Sequence, residues 1–341
     1  MKLIKLAFTI AISSIVSHSL LLAQESPDQI FLNGKIATVD DFFSISEAVA
    51  IKGERILAVG TNEEIESLSE PSTPRTDLDG RTVIPGLIDN HNHVVRATEY
   101  WPNEARLDGV TSRSEALEIL NAKAETLASG NWLMSLGGWS EAQFIDSQAD
   151  FTLAELDAVA PERPAFIQSV YHHAFGNTAW FNAMGIPLNA SQEEQSAAVG
   201  LAAHVVRDVS GQVTGRLNGG FPMIELALQN FPPVSSEQQI EAIKSSFTHL
   251  NSIGLTTVYD PAGVGIRRES YARLREIALE SELTVRIYHT LGGSTPRTPQ
   301  DARDLIAEIE RSKPFQGNAF VDLIAVGEIY YTPFHWDNTL Q

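Results

Sequence analysis

Residues 82–93 read Thr-Val-Ile-Pro-Gly-Leu-Ile-Asp-Asn-His-Asn-His, an apolar run that ends in two histidines. In a β-strand, residues i and i+2 point to the same face, so His91 and His93 can direct two imidazole rings at one point where such a strand ends. Asp89 shares that face and could support the site. The alternative interpretation is a set of polar residues in an ordinary loop. Because a chain without cysteine holds a divalent metal with histidines and carboxylates, the stretch predicts a metal site.

The composition is that of a globular protein with a small-molecule partner. The chain has 341 residues, of which 43% are hydrophobic and 20% charged. Its formal net charge is -19 and its sequence pI is near 4.8. Nucleic acids and anionic membrane surfaces would require a basic patch, so neither is expected as a partner. The sequence leaves the oligomeric state open.

The first 23 residues have the pattern of a secretory signal peptide. Lys2 and Lys5 precede an apolar run over residues 6–22. Four serines and a histidine interrupt this run, so a stable membrane span is the weaker interpretation. We expect cleavage after Ala23 and export of the mature protein to the periplasm or the extracellular space.

Short strands with tight turns are expected next, over residues 24–84. Turn residues indicate three hairpins, at Asn33-Gly34, at Gly53 and at Asp79-Gly80. The pattern changes after Pro85, where helical and strand-like segments alternate.

This later part of the chain predicts an α/β protein. Helices are predicted over residues 112–128, 237–253, 268–280 and 299–311, and apolar strands over residues 254–260, 283–288 and 320–326. Such alternation is typical of a parallel α/β sheet or barrel. The segment between the first strand and the helix at residue 237 is too long for a common βα loop, so an insertion is expected at roughly residues 99–236.

Several motifs together resemble the amidohydrolase superfamily. Besides residues 82–93, they are Asn33-Gly34-Lys35-Ile36, Asp79-Gly80-Arg81, Gly138-Trp139, residues 156–161, residues 172–186 and residues 254–260. This set is similar to the YtcJ-like branch, amidohydrolase family 3. The resemblance implies an incomplete metal-dependent-hydrolase (β/α)8 barrel, with its active site at the C-terminal ends of the strands. The expected domains are the signal peptide, a small β-sandwich at residues 24–84, and the first half of the barrel at residues 85–341.

The resemblance also assigns metal ligands. It maps two metal-binding histidines to His91 and His93, and it places Glu328 where the family has a carboxylated lysine. A carboxylate is the group that lysine carboxylation creates, so Glu328 can serve as a ligand without modification. A solvated glutamate at a strand end is the alternative. We expect one or two divalent ions, with zinc as the expected metal.

Two further residues are assigned around the substrate, and a third residue has two interpretations that stay open. His172 matches a family pattern in which a histidine faces the substrate, although a shift of one residue would place His173 there. Trp139 is expected to line the pocket, with a core tryptophan as the alternative. Asp260 follows a predicted strand and either supports the ligands or caps a helix.

The activity implied by the resemblance is hydrolysis of non-peptide C–N bonds, in an amide, carbamate or cyclic amide, by metal-activated water. The family's catalytic base and remaining ligands follow later strands, beyond Gln341. We therefore expect a truncated chain that is inactive alone. The alternatives are a non-catalytic exported protein that binds small molecules, and an inactive fragment.

Overall fold

The structure is a computed structural model that describes residues 25–262, 268–280, 283–291 and 298–328. The expected signal peptide lies outside these residues. The chain divides into two compact units, one ending at Pro85 and the other beginning at Gly86. In the part of the chain that the structure describes, no helix combines the length and apolarity that crossing a membrane requires.

The described residues of the first unit, 25–85, form two small sheets and one helix. Its elements are β1 (Gln29–Leu32), β2 (Lys35–Ala37), β3 (Ile45–Ser46), β4 (Ala48–Lys52), β5 (Arg55–Gly60), α1 (Asn62–Leu68), β6 (Arg75–Asp77) and β7 (Thr82–Val83). The sheets have the orders β5-β4-β1-β6 and β3-β2-β7. A buried cluster that includes Ile30, Ala50 and Ile65 packs α1 against the larger sheet.

One of the three predicted hairpins is confirmed and two are wrong. β4 and β5 pair as antiparallel strands around Gly53. At Asn33-Gly34 and Asp79-Gly80, however, the chain crosses from one sheet to the other. β1 pairs parallel with β6, and β2 pairs parallel with β7. The amide of Gly80 donates a hydrogen bond to the carbonyl of Asn33 at 2.8 Å and so joins the two turns. The two chain segments therefore stay side by side as they pass from one sheet to the next, and neither segment folds back on itself to form a hairpin.

The second unit is an α/β structure. It contains β8 (Leu87–Asp89), α2 (Val94–Glu99), α3 (Arg113–Thr126), β9 (Leu133–Leu136), α4 (Leu153–Val159), β10 (Ala165–Ser169), β11 (His173–Gly176), α5 (Thr178–Ala183), α6 (Gln192–Ala197), β12 (Val205–Arg207), β13 (Val213–Asn218), α7 (Gly220–Leu228), α8 (Ser236–Ser252), β14 (Leu255–Asp260), α9 (Arg268–Leu279), β15 (Arg286–Leu291), α10 (Pro299–Arg311) and β16 (Val321–Val326). Short 3-10 helices lie at Trp101–Asn103, Glu141–Gln143 and Gly200–His204.

A parallel sheet with the order β16-β15-β14-β8 carries the predicted site. All three strand pairs are parallel, so the carboxyl ends of all four strands lie at the same edge. Buried residues of α2, α8 and α9, among them Val95, Phe247 and Leu274, pack against Val258 and Ile287 of the central strands. Within the described residues the sheet does not close into a barrel.

A second sheet, with the order β12-β13-β11-β10-β9, occupies the segment in which an insertion was expected. All five residues of β10 are buried. Ala165 and Ile167 belong to one core and Phe166 belongs to another, because successive side chains of a strand point to opposite faces. The sheet is therefore covered on both sides.

Candidate metal centre

Two histidines leave the carboxyl end of β8, as the sequence predicted. Asp89 shapes this turn, because its carboxylate accepts hydrogen bonds from the amide of His91 at 3.0 Å and from the side chain of Asn92 at 2.9 Å. His93 then stands at the N-cap position of α2. The loop therefore holds both rings at the strand end.

Glu328 meets both histidines from the far edge of the same sheet. It follows β16, and its Oε2 lies 3.4 Å from Nε2 of His91, while its Oε1 lies 3.5 Å from Nε2 of His93. The two imidazole rings meet edge to face, with centroids 5.4 Å apart. The structure therefore brings together the three predicted metal ligands.

The orientation of the His93 ring is fixed from its other nitrogen. Nδ1 lies within hydrogen-bonding distance of the carbonyl oxygen of Ala262. A carbonyl oxygen only accepts, so Nδ1 carries the proton and donates. In the neutral ring this leaves Nε2, the nitrogen on the side of Glu328, without a proton, which is the tautomer that a metal ligand requires.

Asp260 supports the position of His93 through buried hydrogen bonds. Its buried carboxylate accepts hydrogen bonds from the amides of Val95 and Ala262 at 2.9 and 2.8 Å, and from the hydroxyl of Tyr271 at 3.1 Å. Burial raises the pKa of the Asp260 carboxyl to about 6, although these hydrogen bonds oppose the shift. Asp260 therefore does what both sequence interpretations describe. Its carboxylate caps the first turn of α2, and it also holds the Ala262 segment that orients His93.

The ligand set fits a divalent ion. Two imidazole nitrogens and a carboxylate form a common donor set for zinc, and two ligands held tetrahedrally at 2.0–2.2 Å from one ion lie roughly 3.4 Å apart. The distances from Glu328 to His91 and His93 match that separation. One ligand atom from each of the three residues lies within 4.8 Å of the others.

A cavity of about 280 Å³ opens beside the histidines. Besides His91 and His93, its lining includes Arg96, Glu104, Arg106 and Tyr171. Glu104 is buried, which raises the pKa of its carboxyl, while Arg106 opposes that shift from 3.2 Å. Arg106 also donates to Asp108 at 2.8 Å and stacks on the ring of Trp101.

Trp139 lies in the core, which is the alternative that the sequence left open. Its side chain is 2% exposed and packs against Phe144 and Phe151, with ring centroids 5.7 and 5.5 Å away. Its neighbour Gly138, which has a φ of +76°, lines the cavity. The Gly-Trp motif therefore contributes backbone to the cavity and an aromatic ring to the core.

His172 and His173 take different places, and neither is among the described residues that line the cavity. His172 is exposed in the turn between β10 and β11, directly after the cavity residue Tyr171. His173 is partly buried, and its Nε2 lies 2.9 Å from Oε1 of Glu141. Asp150 lies close to this pair but binds Arg216 at 2.5 Å, so we interpret that cluster as a network of ion pairs.

Sequence reasoning missed Arg96 and Tyr171. Arg96 follows His93 by three residues on α2, a spacing that places both side chains on one side of a helix, and this signal was present in the sequence. Tyr171 carried no such signal, because it reaches the cavity only through the fold of the inserted sheet.

Solved structures with this fold support the α/β assignment. An uncharacterized metal-dependent hydrolase from Pyrococcus horikoshii OT3 aligns with a TM-score of 0.56 and 20% identity, covering 87% of this chain and 53% of that one. A second from Pyrococcus furiosus gives a TM-score of 0.54 at 20% identity, covering 87% and 55%. At this level of identity the likeness concerns the fold.

Two curated relatives match over about two thirds of the chain or more. N-substituted formamide deformylase of Arthrobacter pascens is 29% identical over 251 residues, which cover 72% of this chain and 44% of that protein. YtcJ of Bacillus subtilis (strain 168) is 28% identical over 231 residues, covering 67% and 41%. The chain thus spans less than half the length of these two relatives. A model of the amidohydrolase family matches residues 76–339, which include His91, His93 and Glu328, and the chain therefore belongs to that family.

Proposed function

We propose that this protein is a metal-dependent hydrolase of non-peptide C–N bonds, such as those of amides, carbamates or cyclic amides. One observation carries the proposal, namely the convergence of His91, His93 and Glu328 at ligand distances beside a cavity. A relative whose name describes a formamide deformylase supports the bond type.

We assign His91, His93 and Glu328 as ligands of a divalent ion, with zinc as the expected metal. A bound ion supplies Lewis-acid polarisation of the substrate carbonyl and activates water for hydrolysis. Within the chain, Ala262 and Asp260 hold the His93 ring, and Asp89 holds the turn that presents His91. The cavity beside them binds the substrate and limits its contact with solvent.

Metal analysis tests the ligand assignment. The wild-type chain and a double variant, His91→Ala with His93→Ala, are loaded with zinc, desalted and measured by plasma mass spectrometry. The double variant should retain only background zinc, because it has lost two of three ligands. A matched double variant, His204→Ala with His249→Ala, removes two histidines outside the cavity and should bind as the wild type does. Equal zinc in both double variants would refute the assignment.

Turnover tests the activity. The zinc-loaded chain is incubated with a panel of formamides, other amides, carbamates and hydantoins, and amine release is followed. Zinc-dependent release that disappears in the His91→Ala variant would support hydrolysis at this site. A zinc-bound chain that leaves every member of the panel intact would instead favour one of the two alternatives, a protein that binds small molecules without turnover or an inactive fragment.

We also propose export. The support is the pattern of Lys2, Lys5 and the apolar run at residues 6–22. N-terminal sequencing of material recovered outside the cytoplasm should begin at or near Gln24. Recovery of only intact Met1 chains from the cytosol would contradict export.

A further inference from the structure

The candidate metal ligands are supported by residues at the ends of the two central strands of the parallel sheet. His91 and His93 follow β8 and Glu328 follows β16, whereas β14 and β15 lie between these strands. All four strands end at the same edge of the sheet. Ala262, two residues after β14, orients the ring of His93. The central strands also hold Glu328, through contacts with its backbone.

Glu328 lies just beyond the regular pairing of its strand. The ladder between β15 and β16 ends with the pair of Leu291 and Val326. The next residue, Gly327, has a φ of +130°, which is a conformation that favours glycine. Because glycine restricts its own backbone less than any other residue, the direction in which Glu328 leaves the strand has to be fixed by other contacts.

Two hydrogen bonds provide such contacts, one from the end of each central strand. The hydroxyl of Thr290, on β15, donates to the carbonyl oxygen of Gly327 at 2.6 Å. The amide of Glu328 donates to the carbonyl oxygen of Pro261, directly after β14, at 2.9 Å. The bonded carbonyl and amide belong to one peptide group. The peptide group that precedes the Glu328 side chain is therefore held from both central strands.

The strand ladder is irregular beside Thr290. His289 pairs with Leu323 and Thr290 pairs with Ala325, so one extra residue of β16 stands between the two pairs. Bulges of this kind change the direction of side chains near strand ends. Thr290 is 1% exposed, and buried polar groups are costly without a partner. Loss of the Thr290 hydroxyl would leave the carbonyl of Gly327 without this hydrogen bond.

We infer that Thr290 is a positioning residue for the metal ligand Glu328. Thr290 acts through the Gly327 carbonyl, and it fixes the backbone from which the Glu328 carboxylate reaches His91 and His93. A ligand that is already in place loses less conformational freedom when an ion binds. The inference rests on the proposed function for the assignment of Glu328 as a ligand.

Zinc affinity of the full chain, measured by competition with a chromophoric chelator, tests this role. Thr290→Val removes the hydroxyl at nearly constant shape and should weaken zinc binding by about tenfold or more. Thr290→Ser keeps the hydroxyl and should bind zinc as the wild type does. Thr257→Val changes a buried threonine of β14 away from the strand end and is the matched control. Thr290→Ala, which also removes the hydroxyl, gives the same test if Thr290→Val does not fold.

A double-mutant cycle separates positioning of the ligand from a general effect on the fold. In a Glu328→Ala background the carboxylate is gone and Thr290 has no ligand to position. There, Thr290→Val should change zinc affinity by less than about twofold. An unchanged affinity in Thr290→Val, an equal loss in both backgrounds, or an equal loss in Thr290→Val and Thr290→Ser would overturn the inference.

The same measurements distinguish this inference from the proposed function. Unchanged zinc affinity in Glu328→Ala would refute the assignment of Glu328 as a ligand, and the role of Thr290 would fall with it. Weakened zinc binding in Glu328→Ala beside unchanged binding in Thr290→Val would refute the role of Thr290 alone.

Discussion

The Nδ1 atom of His93 donates a hydrogen bond to the carbonyl oxygen of Ala262, and this contact determines which ring nitrogen faces Glu328. Ala262 is held in turn by Asp260, whose carboxylate accepts a hydrogen bond from the amide of Ala262 at 2.8 Å. The ligand geometry at the end of β8 is therefore built partly by residues that follow β14. Disturbing Asp260 should alter metal binding although Asp260 is not a ligand.

Asp260→Asn should weaken zinc binding by about tenfold to a hundredfold. The carboxylate accepts three hydrogen bonds and donates none, so the amide group of asparagine would face an N–H or O–H donor. Competition with a chromophoric chelator measures the affinity. Asp322→Asn changes an acidic residue of β16 and serves as the control. Equal affinities in the wild type and Asp260→Asn would show that Asp260 does not position His93.

Glu328→Gln should weaken zinc by about tenfold or more while it retains the shape of the side chain. The substitution replaces a negative ligand by a neutral amide oxygen, which is a poorer donor to zinc. Glu310→Gln, at an exposed position of α10, is the matched control. If zinc affinity and activity are both unchanged in Glu328→Gln, this glutamate is a solvated residue at a strand end.

Trp139 should affect stability rather than ligand binding. Trp139→Ala removes a large buried ring and should lower the free energy of unfolding by about 3–5 kcal/mol. Trp139→Phe should cost less, because the indole N–H is buried without a hydrogen-bond partner among the described residues. Urea unfolding measures both values. If the Trp139→Phe protein were stable but bound a substrate in the cavity more weakly than the wild type, Trp139 would have to be a pocket residue.

The free energy of unfolding should decrease as the pH is lowered, because His289 takes up a proton more readily in the unfolded chain. Burial lowers the pKa of this histidine to about 4 from its ordinary value of 6.5, and its ring stacks on Tyr271 at 4.0 Å. The neutral ring therefore stabilises the fold above pH 6.5, and this contribution is lost as the pH falls towards 4. At pH 5 the loss should be about 2 kcal/mol relative to pH 7.5.

The pH effect of His289 is isolated by comparison with a variant. His289→Gln should show a smaller loss of unfolding free energy between pH 7.5 and pH 5 than the wild type. His249→Gln, at an exposed position of α8, should follow the wild-type profile. Parallel profiles for the wild type and His289→Gln would mean that His289 titrates alike in the folded and unfolded chain.

The α/β part of the fold could be predicted from the sequence, because helical periodicity and apolar runs typical of buried strands alternate there. α3 and α10 lie where their patterns predict them. The Asn33-Gly34 turn was misread, since an Asn-Gly pair indicates a local reversal but does not determine which strands pair. In the structure that choice is made by contacts with residues 75–83, which are distant in the sequence.

The site was readable only in part. His91 and His93 share a strand end, so their proximity follows from local geometry. Glu328 was placed by the family resemblance, and only the fold shows that it meets both rings. Asn177 lies within the family motif at residues 172–186, and it is a buried structural residue. Its side-chain oxygen accepts from the amides of Ala165 and Trp180, and its nitrogen donates to the carbonyls of Ala160 and Arg163.

The three ligands come from the two outermost strands of a four-stranded sheet, since His91 and His93 follow β8 and Glu328 follows β16. An ion held by all three would link residues 93 and 328 and so act as a clasp, that is, a cross-link between the ends of β8 and β16. Edge strands are normally the first to open, and such a clasp would oppose the opening of both edges at once. Amide hydrogens of β8 and β16 should then exchange with solvent more slowly in the zinc-loaded protein than after chelation, by an amount that follows zinc affinity.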